Sequence, residues 1–378
     1  MTVAIVHDYL TQQGGAERVV LVAMAAAFPG AVVRTSLYLA GGTFPEFGAV
    51  RVDPSWLNRI GPLRRSHRLA LPLLAPAFSS MRIDADVTLC SSSGWAHAAH
   101  VSGRKVVYCH TPARWLYQGD RYIDGATAGS ATPAGHGRAR ARRAAQRSAL
   151  RLLGPPLRRW DRAAAATADR YLANSTIVRD RIRAEYGRDA EVLPPPYSVD
   201  PYARGEAVAG IEPGFLLCVS RLMAYKNVGA IVEALRSLPG EQLVVVGTGP
   251  LESSQRATLP ANVTLLGRVT DDHLRWLYAN AAAVVAASYE DFGLTPLEAA
   301  AFGRPVAVLR WGGFLDTTVE GTTGVFFDRP DAASITAAIR ELRQATWDAR
   351  ALVTHASRYS PDAFITRLRQ IVADETGG

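Results

Sequence analysis

With 378 residues, 48% of them hydrophobic, the chain is long enough for two domains that each bury a core, and its composition excludes a disordered or fibrous protein. A formal charge of +8, from 42 Lys and Arg against 34 Asp and Glu, is mostly arginine and fits a GC-rich coding bias as well as any function, so its distribution says more than its size. Three cysteines in apolar surroundings (Cys90, Cys109, Cys218) exclude a disulfide scaffold and read as core thiols of a reducing, cytoplasmic compartment, while no run of 18 uncharged apolar residues allows a membrane-spanning helix.

Met1 to His7 runs straight into an apolar strand over Val3–His7, so no leader peptide is expected. Gly14-Gly15 then opens a helix to about Phe28. Further strands are expected at Ala31–Thr35, Asp86–Cys90, Lys105–Cys109 and Tyr171–Asn174. Leu69 to Phe78 is apolar but broken by Pro72 and Pro76. Asp84-Ala-Asp86 has the form of a metal-binding Asp-x-Asp, yet it precedes a strand where such a motif would close one. It reads as a turn, and with no His/Cys/carboxylate cluster no metal is expected.

Between Arg138 and Arg162 lie nine Arg and one acid, Asp161. Arg140, Arg143, Arg147 and Arg151 recur at helical spacings and would form one basic stripe, suited to an anionic membrane surface or left as a solvated face. Pro194-Pro-Pro-Tyr-Ser-Val-Asp-Pro201 resists both helix and central strand and reads as a linker. A second series of strands is expected at Phe215–Ser220, Gln242–Gly247, Val263–Leu266, Ala283–Ala287, Arg304–Leu309 and Gly324–Phe327, with a last pair of helices from Ala332 onward. Strand–helix alternation of this kind predicts an α/β chain of two doubly wound parallel sheets. The expected domains are residues 1–195 and 196–359, with a terminal helix at about 360–378 packing back on the first.

Doubly wound sheets bind ligands at the carboxyl ends of their strands, and the candidate residues gather at such ends. Glu290 and Glu298 frame a Gly293-Leu294-Thr295-Pro296 turn that opens a helix. Their carboxylates suit sugar hydroxyls beside a phosphate held at that turn. Arg221 and Lys226 would project from one strand-to-helix loop. Alone they read as two solvated charges; ahead of the glutamate pair they suit a diphosphate whose charge grows as its bond to a sugar breaks. Gly14-Gly15 would let backbone approach a ligand, although a glycine turn before a helix is common. Gly247-Thr-Gly249-Pro and Gly267-Arg268-Val269 end two strands and offer bare backbone to a nucleobase, or are plain turns. His110, in Tyr108-Cys-His-Thr-Pro112, ends another strand as a polar contact to a sugar more than as a base.

The ordered set Gly14-Gly-Ala-Glu17, His110-Thr-Pro, Asn174-Ser175, Val219-Ser-Arg221 with Lys226-Asn, Gly247-x-Gly-Pro, Gly267-Arg-Val and Glu290-Asp-Phe-Gly-Leu with Glu298-Ala resembles glycosyltransferase family 4, the retaining transferases of the GT-B fold. The likeness spans nearly the whole chain. Within the family it is closest to bacterial mannosyltransferases of polysaccharide assembly. The resemblance implies two facing Rossmann-like domains with a cleft between them. It also implies metal-independent, retaining transfer from a nucleoside-diphosphate sugar, best matched by mannose from GDP-mannose, to a lipid-linked or polysaccharide acceptor. By motif position, Arg221 and Lys226 would hold the diphosphate, Glu298 the ribose, Glu290 the donor sugar and His110 its hydroxymethyl end, with Gly15 near the phosphates. Phe314-Leu-Asp316 stands where the family often has Pro-Glu, and the stretch 125–160 is an insertion. Rival readings are a natural-product glycosyltransferase with a soluble acceptor and a GT-B sugar-nucleotide epimerase. A nucleic-acid binder is not expected, because Trp160 alone interleaves the arginines.

Overall fold

A computed structural model describes residues 1–65, 67–118 and 152–377. The described chain forms two compact units: residues 1–118, 152–196 and 361–377 in the first, and residues 197–360 in the second. The stripe of Arg140, Arg143, Arg147 and Arg151 lies outside the described residues.

The first unit holds a seven-stranded parallel sheet. Its strands are β1 (Val3–His7), β2 (Val32–Thr35), β3 (Val52–Pro54), β5 (Val87–Ser92), β7 (Arg104–Cys109), β8 (Arg170–Ala173) and β9 (Glu191–Val192), in the order β3-β2-β1-β5-β7-β8-β9. Two short strands, β4 (Arg82–Ile83) and β6 (His100–Val101), pair apart from it. The central strands β5 and β7 are buried almost throughout, so their residues do not alternate between core and solvent, and β7 carries the run Val106–Cys109. The helix expected from Gly15 has a wider-wound stretch over Val20–Ala25, where the hydrogen bonds skip to the fifth residue. Against it packs the helix Pro361–Glu375. Phe364, Leu368, Ile371 and Val372 fall on one face of that helix and are buried with Val19, Met24 and Tyr108 in the first unit's core.

The second unit repeats the plan with six parallel strands: β10 (Leu216–Val219), β11 (Leu243–Val246), β12 (Val263–Gly267), β13 (Ala283–Ala286), β14 (Val306–Leu309) and β15 (Gly324–Phe327). Their order, β12-β11-β10-β13-β14-β15, is that of a dinucleotide-binding sheet, reversing direction between β10 and β13. One continuous core surrounds this sheet, from Phe215 and Leu217 to Leu342. The expected last helix pair is three helices: Ala332–Gln344, Ala349–Ser357 and Pro361–Glu375, the last of them in the first unit. Pro194 to Pro196 is irregular, and the chain enters the second unit at Tyr197 and leaves it at Ser360.

All three thiols are free and buried. Burial pushes Cys90 and Cys218 up to about 12, so neither is a nucleophile at neutral pH. Asp86 accepts from the Thr2 amide at 2.6 Å, which makes Asp84-Ala-Asp86 a turn that leads into β5.

Candidate active site

The reversal point of the second sheet is where its candidate residues meet. Leaving β10, the chain runs through Arg221 to a single 3-10 turn at Ala224–Lys226, and Asn227 then takes a left-handed backbone conformation at φ 52°. Among the described residues Asn227 is the only non-glycine with positive φ. Its side chain accounts for the strain: the amide donates to the carbonyl of Ala287 at 2.8 Å, just beyond β13. Tyr289 N–H donates to the Tyr225 carbonyl at 3.3 Å, so the loops after β10 and β13 are stitched together by backbone as well. Across this seam Lys226 Nζ forms an ion pair with Glu290, both side chains mostly shielded from solvent. Arg221, exposed in the same loop, donates to the Tyr225 hydroxyl at 3.0 Å.

Glu298 lies in the first turn of the helix Thr295–Ala301. That helix is only two turns long, so its dipole is small. The Glu298 carboxylate is buried, accepting from the Tyr278 hydroxyl at 2.7 Å and from Ser198 Oγ at 3.3 Å. Tyr278 is itself fully buried and its ring stacks on Phe302 at 5.5 Å. Burial first, and the neighbouring Glu298 second, hold its phenol well above the ordinary range, so it stays protonated and can only donate to the carboxylate.

The glycines have identifiable reasons. Gly247 sits at φ 134°, and a Cβ there would lie 2.0 Å from the Ser220 carbonyl oxygen; at Gly249 it would lie 2.4 Å from that of Leu222. Both therefore let the loop after β11 press directly on the loop carrying Arg221. Gly293, at φ 81°, passes against the Phe314 ring, where a Cβ would come within 2.5 Å. Gly267 accepts from the Gly247 amide at 2.8 Å; beside it Arg268 is exposed and Val269 half-buried. Leu294 and Thr295, at the head of the short helix, are half-buried.

In the first unit, His110 follows β7 and is buried. Its Nε2 lies 2.9 Å from Ser91 Oγ, which lies 3.0 Å from His7 Nδ1. Burial chiefly, then His7 and Arg114, push the His110 imidazole down to about 3, so it is neutral at any working pH and offers one donor and one acceptor. A Cβ on Gly14 would meet the Glu17 carboxylate at 2.4 Å, whereas Gly15 has open space where its side chain would be. The Glu17 side chain thus fills the space beside Gly14, and Gly15 is the one of the pair with room beside it.

Thus the structure joins Arg221, Lys226, Glu290 and Glu298 with the Gly247, Gly267 and Gly293 loops in the second unit, and groups His110 with His7 and Ser91 in the first. Sequence reasoning missed Tyr278, Ser198, Ser91 and His7. No spacing links Tyr278 or Ser198 to Glu298, since only the folded sheet brings them together.

Residues 206–366 match the family model described as glycosyl transferases group 1. Among curated proteins the chain is 28% identical over 229 residues to a D-inositol 3-phosphate glycosyltransferase of Segniliparus rotundus, covering 52% of this chain and 50% of that protein. It is 30% identical over 196 residues to a GDP-mannose-dependent alpha-(1-6)-phosphatidylinositol monomannoside mannosyltransferase of Mycolicibacterium smegmatis, covering 44% and 51%. The chain thus spans about half the length of these relatives. Among solved structures, Anabaena HepE in complex with UDP superposes with a TM-score of 0.69 over 99% of this chain and 100% of that one, at 17% identity, a likeness of fold. Residues 206–366 thus carry the likeness to the group 1 glycosyltransferases, and the full-length likeness of the two Rossmann-like halves shows the GT-B fold.

Proposed function

We propose that the chain is a retaining, metal-independent glycosyltransferase that moves a hexose from a nucleoside-diphosphate sugar to a lipid-linked or polysaccharide acceptor. The observation that carries this reading is the pairing of Lys226 with Glu290 across the reversal point of the second sheet, with Arg221 in the same loop. A cation for the diphosphate and a carboxylate for the sugar then lie side by side, where the glycosidic bond to be broken would be. Arg221 and Lys226 hold the diphosphate and neutralise it as it leaves, the task a metal ion performs in other transferases. Glu290 holds the sugar hydroxyls and Glu298 the ribose. Gly247, Gly249, Arg268 and Val269 border the base, Gly293, Leu294 and Thr295 the phosphates. Neutral His110 contacts the sugar, and Gly15 leaves room for the phosphates. No side chain acts as nucleophile; the acceptor attacks on the face the diphosphate leaves. Mannose from GDP-mannose is favoured by the name of the Mycolicibacterium relative, whereas UDP is the nucleotide in the HepE complex.

A thermal-shift screen of GDP-, UDP- and ADP-sugars in EDTA tests donor and metal together. GDP-mannose is expected to raise Tm most, by the equivalent of about 2.7 kcal/mol at a hundred times its Kd. Transfer activity is expected to persist in the chelator. Absence of a shift with every nucleotide sugar, or inactivation by EDTA reversed by Mg²⁺ or Mn²⁺, overturns the reading.

Tyr278 gives a finer test. Tyr278→Phe keeps the ring on Phe302 and removes one donor from Glu298. One hydrogen bond to a charged group is worth about 1.5–3 kcal/mol, part of which water can replace, so nucleoside-diphosphate affinity is expected to fall roughly three- to tenfold. Titration calorimetry measures it; an unchanged Kd separates Glu298 from the nucleotide.

A further inference from the structure

From Pro54 to Ile83 the sequence has no Asp or Glu, yet it holds Arg59, Arg64, Arg65, Arg68 and Arg82. This stretch folds as the 3-10 turn Trp56–Arg59 and the helices Gly61–Arg65 and His67–Ser80, with the turn packed against both helices. The longer helix is apolar on two opposite sides. Ala70, Leu74, Ala77 and Phe78 are buried with Trp95 and Ala96 in the core of the first unit. Leu69, Pro72, Leu73 and Pro76 fall at spacings of three, one and three, which puts them in a single stripe on the other side, and all four are exposed. Leu69 is 60% and Leu73 37% exposed, and beside the helices Trp56 is 44% and Ile60 40% exposed. Four of the twelve large exposed apolar side chains of the described chain therefore fall within 18 residues, too concentrated to be scattered surface residues. Around them Arg59 and Arg65 are exposed, and among the described residues neither has an acidic partner.

We infer that this surface seats the protein on an anionic lipid bilayer. The charge complementarity is one-sided: a thirty-residue stretch offers only cations, as a surface of phosphate headgroups requires. An aliphatic stripe with one tryptophan at its margin is the pattern of the boundary between headgroups and acyl chains, where indole rings settle and arginines reach back to phosphate. A nucleic acid would instead call for several stacking rings. At 14 residues the helix is about 21 Å long, too short to cross a hydrocarbon core of about 30 Å, so it lies in the plane of the interface. Pro72 and Pro76 leave helix carbonyls without amide partners, which suits hydrated headgroup depth and not the acyl interior. The inference rests on the proposed lipid-side acceptor for its purpose, and on no particular donor. It uses a different segment from the Arg140 to Arg151 stripe.

The test is co-sedimentation of the full chain with vesicles of phosphatidylcholine alone or mixed with phosphatidylglycerol. Wild type is expected to bind the anionic vesicles at low salt. Arg59→Gln with Arg65→Gln should weaken binding by roughly 25-fold, about fivefold for each arginine. Leu69→Gln with Leu73→Gln should weaken it by about tenfold or more. Gln at Arg140, Arg143, Arg147 and Arg151 should leave most of the binding intact. Failure of wild type to bind, or both double variants binding like wild type, overturns the inference. So does a concentration-dependent dimer that the Leu69/Leu73 variant dissolves, since the stripe would then be covered by a second copy. The GDP-mannose thermal shift, run on the same proteins, keeps the two readings apart. A normal shift without vesicle binding sinks only the docking surface, and vesicle binding without a shift sinks only the donor reading.

Discussion

Replacing Lys226 with Ala is expected to slow transfer thirty- to a thousandfold, the cost of about 2–4 kcal/mol when one charge-stabilising donor is lost from a transition state. The ammonium is paired with Glu290, and it stands at the reversal point where a donor diphosphate would lie. Because the leaving diphosphate gains charge as the bond to the sugar breaks, the loss should appear in kcat and in kcat/KM alike. Arg221→Ala should fall in the same range. Lys226→Arg should not restore the rate, since a planar fork cannot take the place of a point charge in a seam this narrow. Steady-state kinetics with saturating donor measures it, and a loss under about threefold would remove Lys226 from the chemistry.

Glu298→Ala and Glu290→Ala should fail in opposite ways. Glu298 is buried, held by Tyr278 and Ser198, and turned to the nucleotide in the proposed function, so its loss is expected to weaken binding of the free nucleoside diphosphate about ten- to a hundredfold. Glu290 is the counter-ion of Lys226. Without it the ammonium is left wholly to the diphosphate, and free-nucleotide affinity should stay level or rise while turnover collapses for want of the sugar contacts. Calorimetric titration with the nucleoside diphosphate and an activity assay, run on both variants, separate the two roles. Equal loss of nucleotide affinity in both would overturn the assignment.

The central strands were legible because a parallel sheet covered on both faces needs apolar residues at every position, as Leu243–Val246 shows. The edge strands β3, β4, β6 and β9 were not, being two or three residues long and too short to carry a period. The wider winding over Val20–Ala25 has no signal in its aliphatic sequence, which reads equally as an ordinary helix. In the site, the residue types and their loops were readable from motifs, but the partners that orient them were not. Tyr278 reaches Glu298 from a different helix, and Ser91 reaches His110 from a neighbouring strand. Such links arise from strand order, which local pattern does not encode. Nor did the sequence reveal that Gly247 and Gly249 are required by the backbone of Ser220 and Leu222.

The helix Pro361–Glu375 also sets an order of assembly. It follows the second unit along the chain, yet Phe364, Leu368, Ile371 and Val372 belong to the core of the first. On a ribosome the opening strands β1 and β2 must wait, with Val19 and Met24 short of their partners, until the entire second unit has emerged. The described part of that unit, 197–360, is one uninterrupted stretch, so it can close while the first is still incomplete. Synthesis thus finishes the downstream half before the upstream half, the reverse of the usual N-terminal-first sequence. The nascent chain must keep the apolar segment around Val19 and Met24 from misassociating while the whole of the second unit is made.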